Sequence, residues 1–248
     1  MGSPTLFHYC LFVEFHVKPT PPPWRFHFPS VEPGYLAVFR DAIQSAGIEF
    51  YTLLIDEGDL THPDPAKRER ALALILHWIE VAAQVGAGRV RVIAGLAKAS
   101  EETLRLSETG LHAVLKYADK HGIEVVTANW HPLLENPAKV IELLVQMQGR
   151  LGLKLDFGNW GGERKYDDLA KIAPQADCTH AKAAYLPSGE MDHADFLRCL
   201  DICWDANFTG PHILIFSDAG DEWENLDKMR DIVLPYLAPP ELGAGGRM

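Results

Sequence analysis

The sequence is short of cysteine, of positive charge and of long apolar runs, and each shortage excludes a class of protein. Its four cysteines form no CxxC pair, so we expect reduced thiols in a cytoplasmic protein. No apolar run reaches the ~20 residues that cross a bilayer, so no membrane-spanning helix is predicted. The 23 lysines and arginines stand against 34 aspartates and glutamates, a formal charge of −11. Such acidity repels phosphate backbones and argues against nucleic acid as a partner.

From residue 47 onward, apolar runs of strand length alternate with amphipathic stretches of helix length. The runs are continuous and rich in Val, Ile and Leu, which is typical of strands buried on both faces of a parallel sheet. We predict strands at 48–55, 89–96, 123–128, 151–156, 178–183 and 212–217. We predict helices at 35–46, 66–85, 101–120, 137–148, 167–172, 194–205 and 222–237.

Strands that alternate with helices form right-handed βαβ units, and two architectures are built from such units. An open, doubly wound nucleotide fold should carry GxGxxG after its first strand, and the sequence has no such motif. The length of 248 residues and the number of units favour the other architecture. We therefore predict an α/β fold, a (β/α)8 TIM barrel, as a single domain over residues 1–248.

The N-terminal part fits this architecture least well. Residues 6–15 are predicted to form one more strand, and the proline-rich stretch 19–24 that follows cannot be regular structure. Counting that strand gives seven βα units, so either a strand is hidden near 24–28 or the first unit is missing or remodelled. A missing unit exposes a strand edge, which favours a homo-oligomer. We expect residues 1–34 to be irregular apart from this strand, and 238–248 to be a flexible tail.

Polar or titratable residues follow nearly every predicted strand at its carboxyl end. In TIM barrels the reactive groups lie on the loops at this end, so a site is predicted there, although loops are polar in any case. The residues concerned are Asp56, Asp59, Asn129, Trp130, His131, Asp156, Asn159, Trp160, His180, Lys182, Ser217 and Asp218.

Asp156 and His180 give the strongest signal, because they end or lie on successive predicted strands. A carboxylate and a neutral imidazole that converge at a barrel mouth are typical of a divalent metal site that takes Mg, Mn, Zn or Co. The alternative is a hydrogen-bonded Asp–His pair with no metal. The residues by themselves leave both interpretations open.

Several segments make the chain resemble the xylose-isomerase-like barrel superfamily, over about residues 12–237. They are FVEF at Glu14, HGIEVVTANWH, LDFGNW, THAKA and the closing FTGPHILIFSDAG. This group holds sugar phosphate isomerases and epimerases, hydroxypyruvate isomerase, inosose dehydratase, ketose 3-epimerases and endonuclease IV. The resemblance implies a TIM barrel that acts on a small carbohydrate, with a divalent metal held by two glutamates, an aspartate and a histidine.

The match to those ligands is incomplete. Asp156 matches the family aspartate, and His180 and Lys182 match its H-x-K pair. The first family glutamate falls at Ala128, which has no ligand atom. The last falls near Ile215, so a third ligand remains only if Asp218 is recruited. Asn159 also replaces the histidine of the family's D-x-G-H motif.

Three interpretations follow from this incomplete set. In the first, the chain is a divergent metal-dependent isomerase or epimerase of sugars or sugar phosphates that moves a proton next to a carbonyl. In the second, Ala128 is an engineered or drifted loss, and Ala128→Glu would restore a ligand. In the third, the barrel has lost its metal chemistry and is a metal-free lyase or dehydratase, a carbohydrate-binding module or a non-catalytic subunit.

The resemblance also suggests roles for the other polar residues. His131 or Lys182 acts as the base, and Lys182 holds an anionic oxygen or a phosphate. Glu14 binds hydroxyl groups or acts as the acid, and its alternative is a salt bridge. The expected substrate contacts are Asp56, Asn129, Trp130, Asn159 and Trp160.

Overall fold

The computed structural model of the chain describes residues 12–17 as backbone and residues 30–237 in full. Seven strands lie in these two ranges. They are β1 (Phe12–Val17), β2 (Glu49–Ile55), β3 (Arg89–Val92), β4 (Glu124–Ala128), β5 (Gly152–Asp156), β6 (Ala176–Lys182) and β7 (His212–Ile215).

A helix follows each of these strands. The helices are α1 (Pro33–Ser45), α2 (Pro65–Val85), α3 (Glu101–His121), α4 (Pro137–Gln146), α5 (Lys165–Ile172), α6 (His193–Asp205) and α7 (Glu222–Val233). Short 3-10 turns follow β4, α5 and α7, at Pro132–Leu134, Ala173–Gln175 and Leu234–Tyr236. The predicted alternation of strands and helices is thus confirmed from residue 47 onward, with shifts at element ends.

Two elements, β3 and α7, each end four residues before the predicted position. At β3 the cause is visible. Ile93 and Ala94 are still buried, but they leave the strand ladder. The hydroxyl of Ser107 on α3 donates to the carbonyl of Ala94 at 2.7 Å. A side chain therefore satisfies a buried backbone group that a neighbouring strand would otherwise satisfy.

The chain divides into two compact units. The first comprises Met1–Gly95 and Leu106–Val126, and the second comprises Leu96–Arg105 and Thr127–Met248. In the first, β1 pairs with β2, β2 with β3, and β3 with β4, all in parallel. In the second, β5 pairs with β6 and β6 with β7, again in parallel.

Burial on both faces of the strands confirms the interpretation of the apolar runs. In the first unit, Leu53, Leu54 and Ile55 are consecutive and have no exposed surface. In the second, Leu153, Lys154 and Leu155 of β5 are consecutive and likewise fully buried. Because neighbouring side chains of a strand point to opposite faces, both faces of each strand are covered.

The N-terminal predictions are tested only in part. β1 occupies 12–17, whereas the prediction was 6–15, and residues 6–11 lie outside the described ranges. The proline-rich stretch 19–24, the hidden strand near 24–28 and the tail 238–248 also lie outside them. Within the described part of the chain, the helices are too short or too polar to span a membrane.

Candidate functional site

Asp156 and His180 meet at the carboxyl ends of β5 and β6. The two strands are paired with these residues directly in register, and Phe157 donates its backbone N–H to the carbonyl of His180 at 3.1 Å. Nδ1 of His180 lies 3.1 Å from Oδ2 of Asp156. Both residues are only 6% exposed. The predicted convergence of a carboxylate and an imidazole is therefore present.

Asn129 fixes the position of Asp156 through its backbone. Its side chain donates from Nδ2 to the carbonyl of Asp156 at 3.1 Å and accepts the N–H of Asp156 at Oδ1, at 2.8 Å. Asn129 is fully buried. Both polar atoms of the amide are thus used to hold the end of β5, although the resemblance suggested a substrate contact.

The backbone N–H of Gly158 and two lysines complete the surroundings of Asp156. Gly158 donates to Oδ1 of Asp156 at 2.8 Å. Burial by itself raises the pKa of Asp156, but the hydrogen bond and charge of His180, the Gly158 N–H and the charge of Lys182 outweigh it and hold the pKa below its usual value. Asp156 is therefore an ionised carboxylate. It accepts a hydrogen bond from the N–H at Nδ1 of His180.

Lys154 contacts the other nitrogen of His180. Its Nζ lies 3.1 Å from Nε2, and the lysine is fully buried. An ammonium group has donors and no acceptor, so Nε2 accepts. Lys154, His180 and Asp156 thus form one hydrogen-bonded chain in which the imidazole bridges a cation and an anion.

Sequence reasoning missed Lys154, although a signal was present. The residue is the one charge within the apolar run LGLKL, two positions before Asp156. Residues two apart on a strand share a face, so the pattern places the lysine on the same side of β5 as the carboxylate.

Lys182 reaches the same place from the end of β6. Its side chain is half-buried and runs close over Gly158, where an added Cβ would lie 2.7 Å from the lysine Cδ. Glycine at this position therefore leaves room for the lysine to pass. The ammonium charge acts on Asp156, which is consistent with a lysine that faces the site.

Asn159 and Trp160 line a polar cavity of about 500 Å³ in the loop between β5 and α5. Both are half-buried, and the indole Nε1 of Trp160 is buried with no hydrogen-bond partner among the described residues. The other lining residues are Glu135, Gly161, Gly162, Glu163, Arg164, Lys165 and Asp168. The cavity lies after the strand that carries Asp156, and polar side chains make up most of its lining.

Trp130 and His131 lie directly after β4. Their rings are 3.9 Å apart between centroids, and both residues are half-buried. His131 has φ 64 and ψ 163, a conformation that costs a non-glycine residue about 1–3 kcal/mol. Strain of this kind is often found where a side chain is held for function.

Two further predicted residues, Asp56 and Asp218, have partners of their own. Asp56 pairs with Arg91 in the first unit, and both side chains are 4% exposed, so its carboxylate is occupied by a structural ion pair. Glu14 lies on β1 opposite Thr52, and only its backbone is described. Asp218 is exposed, accepts the N–H of Ala219 at 2.7 Å, and is not joined to the pair in a metal-holding group.

The residues present do not fit the divalent metal that the family resemblance implies. Nδ1 of His180 bonds to Asp156, and Nε2, the nitrogen that remains for a metal, faces the ammonium of Lys154. Ala128 has no donor atom. In the part of the chain that the structure describes, no three His, Cys, Asp or Glu side chains form a group that could hold a metal ion.

The cysteines take no part in this site. Cys178 lies on β6 and is buried, and Cys199 and Cys203 are buried on one face of α6. Burial raises the pKa of both α6 thiols to about 12. They are neutral packing groups at physiological pH, and Cys10 lies outside the described residues.

A family model for the xylose isomerase-like TIM barrel matches residues 10–222. The xylose isomerase domain protein from Planctomyces limnophilus is 17% identical, with a TM-score of 0.65, and the match covers 91% of this chain and 87% of that one. D-psicose 3-epimerase from Clostridium cellulolyticum H10, solved with D-tagatose, is 13% identical, with a TM-score of 0.67 and the same coverage of 91% and 87%.

A xylose isomerase-like TIM barrel protein from Mycobacterium smegmatis, solved in complex with magnesium, is 15% identical, with a TM-score of 0.62 and coverage of 83% and 79%. No curated protein sequence gives a significant match. At these identities the solved structures show a shared fold, which agrees with the parallel strands and alternating helices described above. The match of the family model over most of the sequence shows that this chain belongs to the xylose isomerase-like TIM barrel family.

Proposed function

We propose that this chain is an isomerase- or epimerase-like protein that binds a sugar or sugar phosphate and moves a proton on the carbon next to its carbonyl, without a metal. The observation that carries the proposal is the direct 3.1 Å contact between Asp156 and His180 at neighbouring strand ends. Reactive groups of TIM barrels lie at this end. The structural relatives include a sugar epimerase solved with a ketose, which supports a carbohydrate substrate.

Lys182 is the group proposed to bind the charged part of the substrate. It lies at the end of β6, is half-buried, and its charge already acts on Asp156. An ammonium group in such a place stabilises the negative oxygen that forms when a proton leaves the carbon next to a carbonyl. The same group would bind a phosphate in a phosphorylated sugar.

His131 is the proposed base. Its ring lies tilted against that of Trp130, and its strained backbone fixes the direction in which the imidazole projects. An imidazole titrates near neutral pH, which suits proton transfer, and such general acid–base help contributes about 10²–10⁴-fold in rate. The acid role of Glu14 stays a prediction.

Trp160 and Asn159 are proposed to bind the rest of the sugar in the cavity of about 500 Å³. The indole N–H of Trp160 is a buried donor with no partner among the described residues, so a sugar hydroxyl would satisfy it. The size of the cavity is within the range of small-molecule sites.

A second candidate is a carbohydrate-binding barrel without catalysis. Two residues that were predicted to contact the substrate bond to other groups of the chain instead, which favours this candidate. Asn129 holds the backbone of Asp156, and Asp56 is paired with Arg91. This candidate predicts sugar binding with no exchange of carbon-bound protons.

Deuterium exchange separates the two candidates. The chain would be incubated in D2O with EDTA and a panel of ketoses, aldoses and their phosphates, and loss of the proton next to the carbonyl followed by 1H NMR. We expect exchange that is lost in His131→Asn and reduced in Lys182→Met. Lys116→Met, which removes an exposed lysine of α3, is the matched control and should behave as the intact chain. Binding without exchange would support the second candidate, and exchange only after metal is added would contradict the proposal.

A further inference from the structure

Lys154 places a fixed positive charge beside the candidate site. Its side chain is fully buried on β5, two residues before Asp156 and on the same face of the strand. Its Nζ lies 3.1 Å from Nε2 of His180. Because an ammonium group only donates, the lone pair of Nε2 is directed at the lysine and not at an open coordination position.

Positive charge already surrounds the carboxylate of Asp156. The ammonium of Lys154 contacts His180, which in turn contacts Asp156. The charge of Lys182 also acts on Asp156. A divalent ion here would bring two further positive charges towards two ammonium groups, and it would have to break a hydrogen bond at each of its ligands.

We infer that the ammonium group of Lys154 is a resident cation that takes the place of a divalent metal ion beside His180 and Asp156. The site is therefore closed to divalent metals in the intact chain, and it opens when the lysine is replaced by an uncharged side chain. This inference rests on the contacts of Lys154 and is independent of the proposed reaction.

The test is Co²⁺ binding by the full chain. Binding is measured by equilibrium dialysis and by the visible absorption of bound Co²⁺. Lys154→Met puts in an unbranched side chain that is one atom shorter and uncharged. We expect no Co²⁺ to bind at His180 in the intact chain. The single variant His180→Asn should therefore leave Co²⁺ binding unchanged. We expect Lys154→Met to bind Co²⁺ at least ten-fold more tightly, through a site that disappears when His180→Asn is added.

The control is Lys116→Met, which removes the same charge from an exposed position on α3. It should bind Co²⁺ no more tightly than the intact chain. Equal tightening in both lysine variants would overturn the inference, since the effect would then come from net charge alone. So would a Lys154→Met variant that folds and binds no more tightly than the intact chain.

A measurement on the unaltered chain decides the matter if Lys154→Met does not fold. Nitrogen-15 NMR of the histidine rings distinguishes a protonated nitrogen from one that accepts a hydrogen bond. We expect the signals of His180 to show a protonated Nδ1 and an accepting Nε2, unchanged by stoichiometric Zn²⁺. A shift of Nε2 on addition of Zn²⁺ would overturn the inference, whatever the sugar assays show.

Discussion

The imidazole of His180 joins the carboxylate of Asp156 to the ammonium of Lys154, with 3.1 Å at each contact. This chain of three side chains lies at the end of β5 and β6, where related folds carry their chemistry. Its members are held by backbone contacts as well, because Asn129 and Gly158 bond to Asp156. The pair is therefore rigid and charged, and its contacts are made within the chain.

Removal of the Asp156 charge should be costly. In Asp156→Asn the chain Lys154–His180–Asp156 loses its buried carboxylate charge, and breaking a buried charged contact on one side costs about 3–5 kcal/mol. We expect a loss of about 3 kcal/mol in the free energy of unfolding, measured by urea denaturation. Asp227→Asn makes the same change in an exposed pair with Arg230 and should cost under about 1 kcal/mol. Equal losses in the two variants would show that Asp156 is not part of a buried charge network.

Asn129 should matter for stability before it matters for binding. Asn129→Ala leaves the N–H and the carbonyl of Asp156 without their partners, and a buried unsatisfied polar group costs about 1–3 kcal/mol. We expect the unfolding free energy to fall by about 2–4 kcal/mol. Asn136→Ala, which removes only a helix cap on α4, should cost about 1 kcal/mol. A fully stable Asn129→Ala with impaired sugar binding would restore the role that the sequence suggested.

Asp56 and Arg91 should behave as a structural pair. Either single change, Asp56→Asn or Arg91→Met, breaks the buried ion pair from one side, and we expect each to cost about 3 kcal/mol. The double variant Asp56→Leu with Arg91→Met buries no charge and should be more stable than either single variant. Thermal unfolding of the set gives the coupling. If Asp56→Asn instead keeps its stability and weakens sugar binding, the substrate role is correct.

The free energy of unfolding should decrease as the pH is lowered from about 6.5 to about 4, because of His212. Burial lowers the pKa of this histidine to about 4, whereas an unfolded histidine titrates near 6.5. In this window the unfolded chain binds the extra proton and the folded chain does not, so acid favours unfolding, and the effect levels off below about pH 4. At 1.36 kcal/mol per pKa unit, the loss is at most about 3 kcal/mol.

Unfolding curves at several pH values measure this effect. His212→Gln should flatten the dependence in the window, whereas His77→Gln, at an exposed position on α2, should leave it unchanged. An identical slope in the intact chain and in His212→Gln would mean that other groups cause the loss.

The sequence was sufficient for the order of the elements and for the face that carries the site. Strand and helix periods are local properties, and the buried runs around Leu53 and Leu155 show them clearly. It was also sufficient to bring Asp156 and His180 together, because parallel strands end at one edge. It did not predict the end of β3, where the hydroxyl of Ser107 replaces a strand neighbour.

The partners of the site residues were harder to predict, because they depend on register and side-chain direction. Asp56 reads as a loop residue, and its pairing with Arg91 follows from the register that sets Ile55 beside Val92. Asn129 matches a family position, but its amide is used on the backbone. Lys154 was visible as a charge in an apolar strand, and only its distance to His180 gives it a role.

The most direct test is a crystal structure of the chain grown with excess Mn²⁺, with an anomalous difference map. We predict no manganese peak at the pair, and Nζ of Lys154 within hydrogen-bonding distance of Nε2 of His180. A peak about 2.2 Å from both Asp156 and His180, with Lys154 turned away, would contradict the account.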